Sequence, residues 1–376
     1  MFSEYNFKNF NFRLLFYALA LNAIGLLVIN SAVNGDRSYI NRQLIGLFGG
    51  LVIMLFLALT DYHKLMRCTG VIYLGCVAIL LAIIVAGQFG GAGTGARRWI
   101  TLPVIGRFQP SEFVKIGLII FFSWFLQRNQ EKINNLRTLI IVGAFAAVPL
   151  LLIMKQPYLS TSIVIMFIIV CLIFVAGLSY KWIVGAAAVV IPGLALTVFL
   201  AERGAVPFLT GYQVNRILAF VNPGKYADLN VQQDNSKMAI GSGMLYGKGL
   251  LNETAISVKN GNFLSEEHTD FIFAVIGEEM GFVGCMLVLV LYLLFVFECL
   301  RMAGRTRDLT GKLLCTGIAA LVGFQAFTNI AVATGIFPNT GLPLPFISYG
   351  VSSLVSLYIG IGVLLNVGLQ QNKLEF

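Results

Sequence analysis

The stretch Phe263-Leu-Ser-Glu-Glu-His-Thr-Asp-Phe-Ile-Phe-Ala-Val-Ile-Gly-Glu-Glu-Met-Gly281 runs from a polar, ionisable cluster straight into a long apolar segment. Ionisable groups in or beside hydrocarbon are costly and need a partner, a wet cavity or a function. Asp270 falls at the mouth of the expected helix, and Glu278 and Glu279 follow roughly 12 Å deeper at 1.5 Å per residue. At about 100° per residue the two glutamates lie about 80° and 180° around the helix from Asp270. They cannot both line one cavity, so at least one is expected to pair with another helix. Asp270 is the first candidate for chemistry; the alternative is capping, since an acid in a first turn is stabilised by the helix dipole.

Outward from this stretch, the chain of 376 residues is 58% hydrophobic and 11% charged. Soluble domains carry about 25% charged residues. With a mean hydropathy of +0.84, this is an all-α, polytopic membrane protein whose helices pack in lipid. The net charge of +9 is spread over short loops, so it reads as membrane topology and not as a nucleic-acid patch. Six cysteines without Cys-x-x-Cys spacing read as small hydrophobes, and two histidines, His63 and His268, are too few for a His-based metal cluster. Lys8 and Arg13 lead into a full-length apolar run, which is expected to be kept as the first span.

At about 20 apolar residues per span, ten helices are expected near 12–32, 42–60, 68–88, 110–127, 137–154, 160–178, 181–201, 270–299, 312–335 and 345–369. Basic residues such as Arg13, Lys64, Arg67, Arg128, Arg137, Lys181, Arg305 and Lys312 gather on the side of the termini, making that side cytoplasmic. The segments 89–110 and 202–269, the latter between helices 7 and 8, become large outer loops of a single membrane domain over 1–376. A loop as long as 202–269 is usually functional or disordered, so the working surface is expected on the outer face.

Three other motifs bear on chemistry. In 89–115, glycines precede Arg97, Arg98 and Trp99, which suit either an interfacial anchor or an element handling a phosphate-bearing lipid. Gln109, Pro110, Glu112 and Lys115 follow; Pro110 fits a first helical position and Glu112 with Lys115 an i,i+3 structural ion pair. In 211–250, Arg216, Lys237 and Lys248 accompany a glycine-rich run whose spacings fit neither the Walker loop nor the dinucleotide fingerprint. What remains is an outer loop compatible with a pyrophosphate. Ser348 and Ser352, at the start of the last span, suit close packing and interhelical hydrogen bonds.

Taken in order, Gly-Ala-Arg-Arg-Trp-Ile (95–100), Gln-Pro-Ser-Glu-Phe-Val-Lys (109–115), Asn-Arg-Ile-Leu (215–218), Ala-Ile-Gly-Ser-Gly (239–243), His-Thr-Asp-Phe-Ile-Phe-Ala-Val-Ile-Gly-Glu-Glu (268–279) and Leu-Pro-Phe-Ile-Ser-Tyr-Gly (344–350) resemble the SEDS family (shape, elongation, division and sporulation), which includes RodA, FtsW and SpoVE. The resemblance covers nearly the whole chain; its length and Leu-Pro-Leu-Pro-Phe run look closer to RodA, and Ala-Arg-Arg-Trp closer to FtsW or SpoVE. It implies a ten-helix peptidoglycan glycosyltransferase that polymerises lipid II on the outer face of the bacterial cytoplasmic membrane, partnered by a class B penicillin-binding protein. The family's essential carboxylate falls on Asp270 and its outer-loop tryptophan on Trp99, with His268 and Thr269 beside the carboxylate. Two departures stand out: Tyr158 replaces an outer-face aspartate, and Val351 replaces the second glycine of a Gly-Gly-Ser-Ser run.

The expected reaction is an inverting glycosyl transfer with Asp270 as general base on the acceptor 4-hydroxyl of lipid II. Arg98, Arg216 and Lys248 would neutralise the departing undecaprenyl pyrophosphate, directly or beside a divalent cation such as Mg or Mn. The competing readings are a lipid II flippase and a non-catalytic scaffold that activates a penicillin-binding protein.

Overall fold

The computed structural model describes residues 9–86, 99–102, 106–156, 159–203, 211–251 and 267–370. Helices α1 (Phe12–Ala32), α2 (Arg37–Ala58), the short α3 (Tyr62–Arg67) and α4 (Thr69–Ala86) lead to strands β1 (Ile100–Leu102) and β2 (Gly106–Phe108). Then follow α5 (Pro110–Arg128), α6 (Leu136–Met154), α7 (Leu159–Val175), α8 (Tyr180–Glu202), α9 (Gly211–Val221), α10 (Ala227–Ser242), α11 (Ile272–Arg305), α12 (Leu309–Ala333) and α13 (Val351–Leu369). Seven of these, α1, α2, α6, α8, α11, α12 and α13, are long and apolar enough to cross a membrane; α4 and α7 hold shorter apolar runs.

Helix starts follow local capping chemistry. Asn11 accepts from the Leu14 N–H at 3.1 Å, Asp36 from Ser38 at 2.8 Å, and Asp308 from Thr310 and Gly311 at 3.1 and 2.9 Å. Each satisfies donors that a helix start leaves unpaired. Once formed, the apolar helices bury their small residues against one another. Gly46 of α2 faces Val351, Gly50 faces the Tyr358 ring, and Gly362 of α13 faces Met54, so α2 and α13 run side by side at close range. Their far ends are locked by Asn366, which donates to the Ala58 carbonyl at 2.7 Å and accepts from the Tyr62 N–H at 2.9 Å. Helix α1 runs antiparallel to α11, tied at one end by Asn11 to Glu298 at 3.0 Å and at the other by Ser31 to Glu279. α12 and α13 are the most buried spans, whereas none of the apolar window of α8 is buried.

Several sequence expectations are corrected here. The bundle is helical as expected, and a short two-stranded antiparallel hairpin, Ile100 opposite Phe108, lies within the segment read as the first outer loop. The stretch 202–269 is not simply a loop: α9 and α10 occupy much of it, and being polar or amphipathic they escape a search for apolar runs. α2 begins at Arg37 rather than 42, since Asp36 caps it, and the last helix begins at Val351 rather than 345. The expected 270–299 span is broken: Gly281, at φ 66° and ψ −162°, interrupts α11.

Candidate active site

Asp270 lies in the turn 267–271, ahead of the helix, whose N-cap is Phe271; the first turn of α11 holds no acid. The capping role therefore falls away, and Asp270 is held by something else. Asn329 of α12, 1% exposed, donates from its amide to the carbonyls of Asp270 at 2.8 Å and Leu342 at 2.7 Å. One residue before Leu342, Gly341 sits at φ +69°, and a Cβ there would stand 3.2 Å from the Asp270 carboxylate oxygen. The half-buried carboxylate thus rests against the backbone of the connection between α12 and α13, where a side chain would crowd it.

That connection, 334–350, is the platform on which the site is assembled. From α5, Lys115 pairs with Glu112 at 2.9 Å, both almost wholly buried, and reaches Gln325 of α12 at 3.0 Å; Gln325 in turn donates to the Pro343 carbonyl at 3.0 Å. Ser348 donates to the Thr269 carbonyl at 2.6 Å while accepting from the Leu344 N–H at 2.8 Å. The Tyr349 N–H donates to the His268 carbonyl at 2.9 Å, and the rings of Tyr39, His268 and Tyr349 meet with centroids 5.0 to 5.7 Å apart. Gln43 of α2 accepts from Gly350 at 3.1 Å, and Ser352 accepts from the Gln109 N–H at 3.0 Å. Arg216 of α9 donates to the Asn339 carbonyl at 2.7 Å, and Ser160 at the start of α7 donates to that of Thr340. Side chains far apart in sequence therefore fix the loop that fixes Asp270.

The glycine-rich run has a structural task. Residues 243–249 fill the break in α11. The N–H groups of Lys248 and Gly249 donate to the carbonyls of Glu278 and Glu279 at 2.9 and 3.0 Å, and those of Phe282 and Val283 donate to Met244 and Leu245 at 2.9 and 3.1 Å. These are the backbone groups that a helix break leaves unpaired, and in a membrane protein they must be met internally. Glycine is needed because a Cβ at Gly243 would collide with the Gly277 carbonyl, and one at Gly247 with that of Glu279. Lys248 pairs with the buried Glu278 at 2.7 Å, and Glu279 takes the Ser31 hydroxyl. Both glutamates are thus structural anchors, and Lys248 is a brace before it is an anion partner.

Trp99 is half-buried at the entry to β1, while Arg97 and Arg98, like Tyr158, lie outside the described residues. Among the described residues no three of His, Cys, Asp and Glu converge, so the divalent cation raised by the sequence has no protein cage among them. Asn329, Gln325, Asn339 and Thr340 were missed as site residues. The available signal was the run Gln325, Thr328, Asn329 inside an otherwise apolar span, since polar residues in a span are expensive.

The fold and site define a polytopic membrane protein with a carboxylate held against a rigid connection on one face of a helical bundle. Residues 12–373 match the family model of FtsW, RodA and SpoVE cell cycle proteins, and the chain belongs to that family. It is similar to a probable peptidoglycan glycosyltransferase FtsW of Geobacter sp. (strain M18), 33% identical over 374 residues that cover 96% of this chain and 97% of the relative. It is also similar to the peptidoglycan glycosyltransferase MrdB of Escherichia coli (strain K12), 33% identical over 367 residues that cover 96% and 94%. Among solved structures, a chain from a study of the structural coordination of polymerization and crosslinking by a peptidoglycan synthase complex superposes with a TM-score of 0.80 at 27% identity, covering 98% and 99%. The rod shape determining protein RodA of Thermus thermophilus gives 0.69 at 26% identity, covering 98% of each chain. FtsW relatives at 32% to 35% and MrdB at 33% lie at similar identity to this chain.

Proposed function

We propose that this protein is a peptidoglycan glycosyltransferase that polymerises lipid II, with Asp270 as the general base. The observation that supports it is the seating of Asp270: a half-buried residue whose backbone is held by Asn329 and whose carboxylate lies against Gly341. In this reading a growing glycan on a lipid pyrophosphate is the donor. The 4-hydroxyl of the lipid II amino sugar attacks its anomeric carbon, the new glycosidic bond forms as the bond to pyrophosphate breaks, and the configuration inverts. Asp270 takes the hydroxyl proton, a contribution of about 10²- to 10⁴-fold. Arg216, with Arg97 and Arg98 near Trp99, would offset charge on the departing pyrophosphate, where positive groups act on developing charge. Lys248, engaged with Glu278, is expected to contribute less.

The same reading has ten membrane spans, α1, α2, α4 to α8 and α11 to α13, with both termini in the cytoplasm and Asp270 at the outer face. A class B penicillin-binding protein would crosslink the product. The test is polymerisation of lipid II by purified protein. Asp270→Asn is expected to abolish polymer while the protein melts at the wild-type temperature, and retained polymer would remove Asp270 from the chemistry. Transfer of labelled lipid II across proteoliposomes without polymer would favour the flippase instead.

A further inference from the structure

One polar helix, α10, touches both flanks of Asp270. Gln233, Ser236, Lys237 and Ile240 recur at i, i+3, i+4 and i+7 and so share one face of it. Gln233, 7% exposed, donates from its amide to the Val332 carbonyl at 2.9 Å and to the Phe337 carbonyl at 2.6 Å. One turn on, the buried Ser236 donates to the Ala333 carbonyl at 2.8 Å. The Lys237 stem lies over Gly335, at φ +81°, where a Cβ would stand 3.0 Å from Lys237 Cδ. A helix C-terminus leaves its last carbonyls without intrahelical donors, and here side chains of α10 supply donors to the end of α12. Farther along, Ala239 joins a buried cluster with Phe271, Ala274 and Val332, and a Cβ on Gly277 would stand 2.9 Å from the Ile240 side chain. Phe271 directly follows Asp270, and Phe337 lies just ahead of Gly341, against which the carboxylate rests.

The two acceptors of Gln233 stand on either side of the turn that leaves α12: Val332 in its last turn, Phe337 in the connection. The amide therefore staples the connection to the helix that carries Asn329, which holds the backbone of Asp270. Its orientation is fixed, because a flipped amide would set oxygen against two carbonyls. The amide hydrogens are spent on protein carbonyls, so Gln233 acts through the connection and not on a substrate. Without it both carbonyls lose a donor, and the stretch from Phe337 to Gly341 can shift against Asn329. We propose that Gln233 is a positioning residue, and that with Ser236 it makes α10 a latch holding the Asp270 carboxylate in register with the reacting hydroxyl. This rests on the glycosyltransferase reading with Asp270 as base and adds to it the element that keeps the base in place.

The experiment measures kcat and KM for lipid II polymerisation by the purified full chain, with the melting temperature alongside. Gln233→Leu keeps the bulk and deletes the donor. It is expected to lower kcat by about 10-fold or more with KM within about 2-fold, since misplacing a reacting group costs the transition state and not substrate binding. Asn11→Ala, which deletes two hydrogen bonds at the far end of α1, is the comparison and is expected to lower the melting temperature while keeping kcat. Gln233→Glu adds a second readout, because its carboxylate repels the two carbonyls whereas its protonated form donates to one. Its kcat relative to wild type at the same pH is expected to rise about 3-fold or more from about pH 8 to about pH 6, as a buried carboxyl takes up its proton. The latch is overturned by a Gln233→Leu kcat no lower than that of Asn11→Ala at a matched loss of melting temperature, by a loss confined to KM, or by a flat Gln233→Glu ratio. If Gln233→Leu fails to fold, Ser236→Ala, which deletes one bond, decides by the same split, with a kcat loss of about 3-fold expected. Asp270→Asn run alongside separates the claims. Polymer from that variant removes the base and the latch with it, whereas an inactive Asp270→Asn beside Gln233→Leu at wild-type kcat removes only the latch.

Discussion

Two ion pairs, one buried and one half-buried, show how individual residues hold this site together. Glu112 and Lys115 are each 1% exposed, so deleting one partner leaves a charge in a low-dielectric interior, at a cost of about 3–5 kcal/mol. Glu112→Ala is expected to lower the melting temperature sharply, with Glu112→Gln/Lys115→Met recovering most of it; equal damage from single and double variants would refute the pair's role. Lys248→Ala should cost less, about 2–3 kcal/mol, because the lysine side chain is 22% exposed while Glu278 is at 1%. Its loss should be seen in stability before turnover. A Lys248→Ala protein that melts normally but binds substrate poorly would restore the pyrophosphate role. At this scale the Glu112–Lys115 pair and the hydrogen-bonding role of Ser348 were legible in the sequence, because charge and hydroxyl groups stand out in apolar surroundings. The Lys248 contact was not, since nothing in a glycine-rich run says which backbone it will lie against.

Among the elements, the broken helix makes the sharpest demand. Gly243 and Gly241 stand two residues apart, yet only the former meets backbone: a Cβ at Gly243 collides with Gly277, and one at Gly241 finds nothing within 4 Å. Gly243→Ala is therefore expected to displace the inserted segment and abolish activity, whereas Gly241→Ala, inside a helix, should stabilise by about 0.5–1 kcal/mol. Thermal melting and polymerisation of the two variants check this, and similar behaviour of both would contradict the insertion. The long apolar helices were readable from hydropathy, but α9 and α10 were not, since one is amphipathic and the other polar. The departure at Val351 also resolves at this scale. Its side chain packs at 3.0 Å from where a Cβ on Gly46 would stand, so α2 supplies the space that the missing glycine would have given.

For the molecule as a whole, the expected orientation makes a simple claim. Tyr246, 78% exposed, belongs to the face of Asp270, and Arg307, exposed in the turn between α11 and α12, to the opposite one. In intact spheroplasts a membrane-impermeant maleimide should label Tyr246→Cys and spare Arg307→Cys; the reverse pattern would invert the topology. The basic residues of the sequence give only an expected sidedness, and nothing in them says how much of the bundle is enlisted to hold one loop. The 334–350 connection is roped to α2, α5 through Gln325, α7, α9, α11 and α12. A compound wedged between α2 and α13, deep in the bilayer, would tug the Gln43 tether and slacken the carboxylate's seat. Such a compound would silence the enzyme without ever competing for its sugar, and no excess of substrate would rescue it.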